Sequence, residues 1–438
     1  MTKEEKYNIA RWVINHALKN GAQQVSVTIS NSRSSSVEVR EEKIDTLEQA
    51  IQNNLTIRLF VDNRYSTHST NRLNQEELVR FIDEAIVATR YLSEDPFRLL
   101  PDPELYYKGG GPDLKTVDSG FDGHNPQQKI ELAFLTEKEV LGKDERIISV
   151  TSSYFDGLSE RVMVASNGFE GDSANSYYGL NAQVSVKGGD ARPSSYWGET
   201  DIFFEKLKKT GIGSKALDLA LKKIGQKKAA SGKMQMIVEN RLVSNLFSPL
   251  MSALNGSAIY QKNSFLIDQL EKKIFSEKLT VTDDPFIPSG RGSRHFDSEG
   301  MATRKRPVFE NGVVKNYYID TYYGKKLGMN PTSGSNTNLV FNTGENNLDE
   351  LIALVQKGIL VTGFNGGNCN GTTGDFSYGI EGFLIEKGNI VQPVSEMNIT
   401  GNMKVLWSGV DALGNDVYKN SSWLTPSILF SNVDFSGV

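Results

Sequence analysis

The chain has 438 residues, of which 38% are hydrophobic and 23% charged, with a net charge of −5. That length supports two or three domains with substantial cores, and the composition excludes a disordered or fibrous protein. The acidic balance argues against nucleic acid as the main partner, and no apolar stretch reaches membrane-spanning length.

Residues 1–20 read as an amphipathic helix through Ile9, Val13, Ile14, Ala17 and Leu18. This start lacks the apolar core of a secretion signal, and the single cysteine, Cys369, fits a reducing compartment. The expected location is the cytoplasm. Alternation at Val25, Val27, Ile29, then Val37, Val39, then Leu55, Ile57, Leu59, Val61 predicts half-buried antiparallel strands. Asn74 with Glu77 forms a capping box for a helix that ends before Pro96.

Pro, Gly and Asp crowd Asp95 to Gly123, which reads as a linker. Asn125-Pro126 then opens a helix running to about Leu141. Ser166-Asn167-Gly168-Phe169 predicts a hairpin with positive φ at both central positions. Gly211 to Lys215 lacks a nucleotide fingerprint and reads as a turn in which Ser214 caps a helix. Nine lysines against one acid lie between Lys206 and Lys233, mostly on the wet side of that helix.

After a boundary at Ala229-Ala230-Ser231-Gly232, helices are expected only near Asn240–Leu254, Tyr323–Leu327 and Leu348–Gln356. Hairpins are expected at Phe309–Val313 and Ile385–Ile390. The predicted organisation is α+β. It comprises an N-terminal α+β domain at 1–108, a middle α+β domain at 124–228 and a large, mainly antiparallel β domain at 233–438.

Candidate chemistry is sparse. The four histidines, His16, His68, His124 and His295, include no two spaced to clasp a metal. His295, Asp297 and Glu299 would share a face if they lay on a strand, which makes them a weak metal or acid–base candidate. The alternative is a polar turn. No nucleophile elbow occurs, and Cys369 has no histidine near it in sequence. Gly363, Gly366, Gly367, Gly371 and Gly374 surround that cysteine. They suit either close approach of an extended peptide to a sheet edge or a set of bulges and turns.

Several motifs in one order resemble the TldD/PmbA family. They begin at Phe60-Val61-Asp62-Asn63-Arg64-Tyr65-Ser66 and Tyr91-Leu92-Ser93-Glu94-Asp95-Pro96. Phe296-Asp297-Ser298-Glu299-Gly300 and the run Asp320 to Gly328 follow. Thr373 to Gly379, Ile399 to Met403 and Gly414-Asn415-Asp416 complete the series.

The resemblance implies a pairing of two kinds of subunit. The TldD-like kind carries a His-Glu-x-x-x-His helix and a later Cys that bind the metal. Here Val243 to Met251, before Asn255-Gly256-Ser257, holds neither His nor Glu, and no Cys follows Asp416. The chain is therefore most similar to the TldE (PmbA) kind. The resemblance implies a non-catalytic subunit that binds no cofactor, with zinc only in a TldD-like partner, acting on short or unfolded peptides. Gly363, Gly366, Gly367, Cys369, Gly371, Gly374 and Asp375 are the candidate peptide cleft. A stand-alone homodimeric peptidase and a regulator of DNA gyrase, after the family's older name, are the alternatives.

Overall fold

The computed structural model describes residues 1–437. Thr2 opens α1 (Lys3–Lys19) with a capping box: its hydroxyl accepts the Glu5 N–H, and the Glu5 carboxylate accepts the Thr2 N–H. Next come β1 (Gln24–Arg40), β2 (Lys43–Val61), β3 (Arg64–Thr70), α2 (Gln75–Thr89) and α3 (Pro126–Lys138). After them come β4 (Ile147–Ala165), β5 (Glu170–Val186), β6 (Ser194–Asp201) and α4 (Ile212–Lys222). The six strands form one antiparallel sheet in the order β3-β2-β1-β4-β5-β6.

The segments 1–108 and 124–228 therefore share a sheet, joined along β1 and β4 from Ser26↔Ala165 to Arg40↔Thr151. Residues 30–36 of β1 carry only polar side chains, so apolar alternation lapses there while pairing to β2 and β4 continues unbroken. Val25, Val27, Ile29, Leu55, Ile57 and Leu59 pack beneath α1 and α2. Val37, Val39, Tyr154, Leu180 and Val184 pack beneath α3 and α4. Shared odd numbering along β1 puts both cores on the same face.

Two local expectations change. In the β4–β5 turn only Gly168 has positive φ, 105°, and its N–H donates to the Ala165 carbonyl. Asn167 therefore keeps ordinary backbone and the glycine alone takes the left-handed position. At α4 the cap is not Ser214. Gly211 precedes the helix with φ 79°, and the remote Glu139 carboxylate accepts the N–H groups of Gly211 (2.6 Å) and Gly213 (2.8 Å). An anion on a helix N-terminus satisfies orphan donors and opposes the dipole.

The C-terminal part begins with β7 (Gly232–Val238), α5 (Val243–Ala253), α6 (Gly256–Tyr260), β8 (Val281–Asp284), β9 (Arg306–Glu310) and β10 (Val313–Val314). It continues through α7 (Thr321–Leu327), β11 (Asn338–Phe341), α8 (Leu348–Leu354), β12 (Lys357–Cys369), β13 (Asp375–Glu386) and β14 (Asn389–Asn402). The last elements are α9 (Met403–Ser408), β15 (Val410–Leu413), β16 (Trp423–Leu424) and β17 (Ile428–Ser436). One sheet runs β10-β9-β8-β11-β16 and the other β14-β13-β12-β7-β17-β15.

β14 also pairs with β17, so five strands of the second sheet close on themselves. Among the described strands only β11–β16 and β12–β7 pair in parallel. Phe247 of α5 anchors the core against Phe341, Phe309, Trp407 and Trp423. Both expected hairpins form, with positive φ at Asn311-Gly312 and Lys387-Gly388. The short helices α6 and α9 carry no sequence periodicity long enough to announce them.

The whole is an α+β fold. Among the described residues no helix is long and apolar enough to cross a membrane.

The segment expected as a linker is a strap. Leu100, Tyr106 and Leu114 are buried, and Tyr107 N–H donates to the Gly300 carbonyl while Ala302 N–H donates to that of Leu105. Leu100 and Tyr106 join Phe60, Met163, Phe169 and Phe296 in a small core on the sheet face opposite the helices. Its Pro and Gly content permits the turns, and its scattered apolar residues hold it down.

Candidate functional site

The glycine-rich region is a sheet edge. β12 pairs with β7 only from Gly358 to Val361, so beyond Val361 it has a strand partner on the β13 side alone. Residues 365–368 are exposed. Bulges interrupt its pairing with β13 between Val361 and Gly363 and between Phe364 and Gly367.

At Gly367 φ is 114°, and a Cβ would meet the Ser377 carbonyl at 2.3 Å. Gly374 has φ 83° in the turn to β13. These two glycines meet demands of the fold itself, as the bulge-and-turn reading holds. Gly363 lies within the bulged strand, Gly366 in open space, and Gly371 in the turn, where its carbonyl accepts the Phe265 N–H at 2.9 Å.

Cys369 and Asp375 sit at the same end. The Cys369 thiol is half-buried, and burial together with the Asp375 carboxylate pushes its pKa up. No histidine touches it among the described residues. His16 meets Asp83, His68 meets Ser66, His124 stacks on Phe204 and His295 on Tyr107. A thiol without a base or cation beside it is a poor nucleophile. Asp375 is held ionised by hydrogen bonds from Asn402 and Thr373.

The segment where a metal-binding helix is expected is α5. Ser248, Met251 and Ser252 line an open cleft of about 550 Å³ together with Asn255, Tyr318 and Trp423. Phe247 points into the core and Pro249 lies inside the helix. Serine hydroxyls and an asparagine amide are not a zinc donor set, so these residues do not fit the metal. Among the described residues no group of three or more His, Cys, Asp or Glu is arranged to hold one.

His295, Asp297 and Glu299 do not lie on a strand. They form a turn, and their side chains go to different partners. His295 stacks on Tyr107 with ring centroids 5.1 Å apart. Asp297 is buried and accepts the N–H groups of Glu299 and Met301. Glu299 accepts both the N–H and the hydroxyl of Thr321 at the start of α7. Its pKa is pushed up to about 7, chiefly by burial, with Asp297 and Asp320 adding and the Thr321 N–H opposing. This polar turn locks the C-terminal domain against the strap.

Sequence reasoning missed the charged junction beside it. Asp283 of β8 is buried and accepts hydrogen bonds from the Tyr318 hydroxyl at 3.0 Å and from the Thr337 N–H and hydroxyl. Arg306 bridges to it at 3.3 Å. Burial, then the Asp283 charge, raises the Tyr318 pKa well above its ordinary value. These partners are far apart in sequence, and no local spacing marks them.

Family models of the PmbA/TldA metallopeptidase match the chain as domain 1 over residues 25–89, as the central domain over 120–224 and as the C-terminal domain over 231–437. The metalloprotease PmbA homolog of Haemophilus influenzae is 28% identical over 440 residues, covering 99% of this chain and 97% of that protein. Metalloprotease PmbA of Escherichia coli O157:H7 is 27% identical over 415 residues, covering 94% and 92%. Among solved structures, a Bacteroides thetaiotaomicron protein provisionally named a modulator of DNA gyrase is 52% identical, with TM-score 0.98 and full coverage of both chains. TldE of Thermococcus kodakarensis shares the fold at TM-score 0.84 and 22% identity, covering 98% of this chain and 100% of that one. The chain belongs to the PmbA/TldD metallopeptidase family.

Proposed function

We propose that this chain is the non-catalytic, peptide-holding subunit of a two-chain metalloprotease in the cytoplasm, whose zinc belongs to a TldD-like sister chain. The observation that carries the reading is the α5 cleft, where Ser248, Ser252 and Asn255 stand and no imidazole, thiolate or carboxylate does. Metal-assisted hydrolysis needs ligands that hold the ion and let it acidify a bound water. This cleft offers none.

The open edge of β12 supports the other half of the reading. An extended peptide added there would bond through its backbone, which tolerates many side chains and suits unfolded or short substrates. The edge adjoins the cleft through the loop after α6: the Phe265 N–H donates to the Gly371 carbonyl, and Asn263 N–H to that of Ala258, which lines the cleft.

The test is peptide hydrolysis by the purified chain alone and mixed with its sister chain, with and without a chelator. The expected result is no cleavage alone and chelator-sensitive cleavage in the mixture. Chelator-sensitive cleavage by this chain alone overturns the reading.

A further inference from the structure

The face of the first sheet opposite its helices meets the C-terminal domain around a cavity of about 500 Å³. Arg161 of β4 enters it from the sheet, and Arg291 and Arg294 enter from the loop before the His295 turn. All three are largely buried, and burial is the leading influence that lowers each guanidinium pKa. The nearby Arg294 further disfavours the Arg161 charge, an effect that Asp297 opposes.

No described carboxylate lies within 4.0 Å of any of the three. Five other arginines are matched, Arg11 with Glu170, Arg64 with Glu94, Arg146 with Asp144, Arg241 with Glu239 and Arg306 with Asp283, whereas Arg58, a further cation near Arg161, meets only the Ser298 carbonyl. Asp297 and Asp283 are the nearest compensation for Arg294, Asp297 for Arg161 and Asp201 for Arg291, yet Asp297 and Asp201 accept backbone N–H groups and Asp283 is taken by Arg306, Tyr318 and Thr337.

The guanidiniums are held in place by neutral acceptors. Arg161 Nε donates to Ser173 Oγ at 2.8 Å, Arg291 Nη2 to the Thr200 carbonyl at 2.6 Å, and Arg294 Nη2 to the Asn336 carbonyl at 2.6 Å. The buried Arg294 Nε has no hydrogen-bond partner among the described residues, and of the Arg161 guanidinium, whose carbon lies 5.4 Å from the Phe296 ring centre, only Nε donates to one. Buried cations without a counter-charge are costly, and forked N–H donors left open match a carboxylate or phosphate.

We propose that this cavity is a binding site for a small oxyanion ligand, a molecule bearing a carboxylate or phosphate group gripped by Arg161, Arg291 and Arg294. The ligand would supply the missing negative charge and tie the first sheet to the C-terminal domain. Pockets of this size admit a molecule larger than the bare anion. The site is separate from the β12 edge and does not depend on which subunit cuts.

Titration calorimetry and thermal melting of the full chain test it, using inorganic phosphate and the dipeptide Glu-Glu, with sodium chloride at matched ionic strength as the reference. The expected result is saturable binding of at least one probe and a rise in Tm beyond the salt reference. Phosphate alone binding assigns a phosphate group, and the dipeptide alone binding assigns a peptide carboxylate. Arg161→Gln keeps the reach to Ser173 but loses the charge. It should weaken binding by roughly tenfold or more without lowering the Tm of the ligand-free protein. Arg291→Gln repeats the test should that variant fail to fold. No saturable binding of either probe, or equal binding by both variants, overturns the proposal.

Discussion

The two faces of the first sheet handle buried cations in opposite ways. Beneath the helices the core is apolar, and its buried lysines are matched, Lys129 with Asp156 at 2.6 Å and Lys6 with Glu160 at 3.0 Å. On the junction face Arg161 sits near Arg294 without a bridging carboxylate, and Glu299 is half-buried with its pKa pushed up to about 7. pH touches the helix face too, where burial pushes the Glu137 pKa up and the His68 pKa down, but its cations already have carboxylate partners and leave nothing for a ligand to match. The junction face stores charge that responds to both, and it lies where the strap and two domains meet.

Substitutions sharpen that contrast. The largest effect is expected from Asp283→Ala, which strands Arg306 and leaves the Tyr318 hydroxyl and Thr337 donors unpaired. The loss should be about 3–5 kcal/mol in chemical denaturation. Ile57→Ala on the helix face should cost about 2–5 kcal/mol through cavity formation. The same denaturation reads it, and a loss below about 1 kcal/mol would contradict the tight apolar packing assigned to this face.

Glu299 gives the junction a pH signature. Its folded pKa of about 7 lies above the ordinary 4.5, so the folded state binds this proton more tightly than the unfolded state. Its stabilising share is whole below about pH 4.5, falls as pH rises through 7, and then levels off. Glu299→Gln removes that fall and should be more stable than the parent by up to about 3 kcal/mol at pH 8. Parallel stability–pH curves for the two proteins would contradict the assignment. The smallest effect is expected at α4: Glu139→Gln weakens its remote cap and should cost about 1 kcal/mol in thermal melting.

What the sequence disclosed follows from the range of each signal. Period-two runs located β1 and β2, and Asn311-Gly312 and Lys387-Gly388 specified the β9–β10 and β13–β14 turns, because these are properties of neighbouring residues. The polar middle of β1 escaped because long backbone pairing, not burial, holds it. Glu139 capping Gly211, Asp283 meeting Tyr318, and Arg161 facing Arg294 are contacts between distant segments, and nothing local encodes them. The glycines around Cys369 were visible. Their role at Gly367 and Gly374 became clear only with the bulge and turn in view, and the open edge of β12 only with the end of β7. His295, Asp297 and Glu299 share a spacing that fits a strand, but Gly300 at φ 89° belongs to a turn.

The most direct test of the central claim is zinc retention by the purified chain after equilibrium dialysis. On the proposed reading, a chain whose α5 cleft presents hydroxyl, amide, thioether and aromatic groups should keep no stoichiometric zinc, and the proposed TldD-like partner should keep one ion. One zinc per chain, retained by this protein alone, would contradict the account.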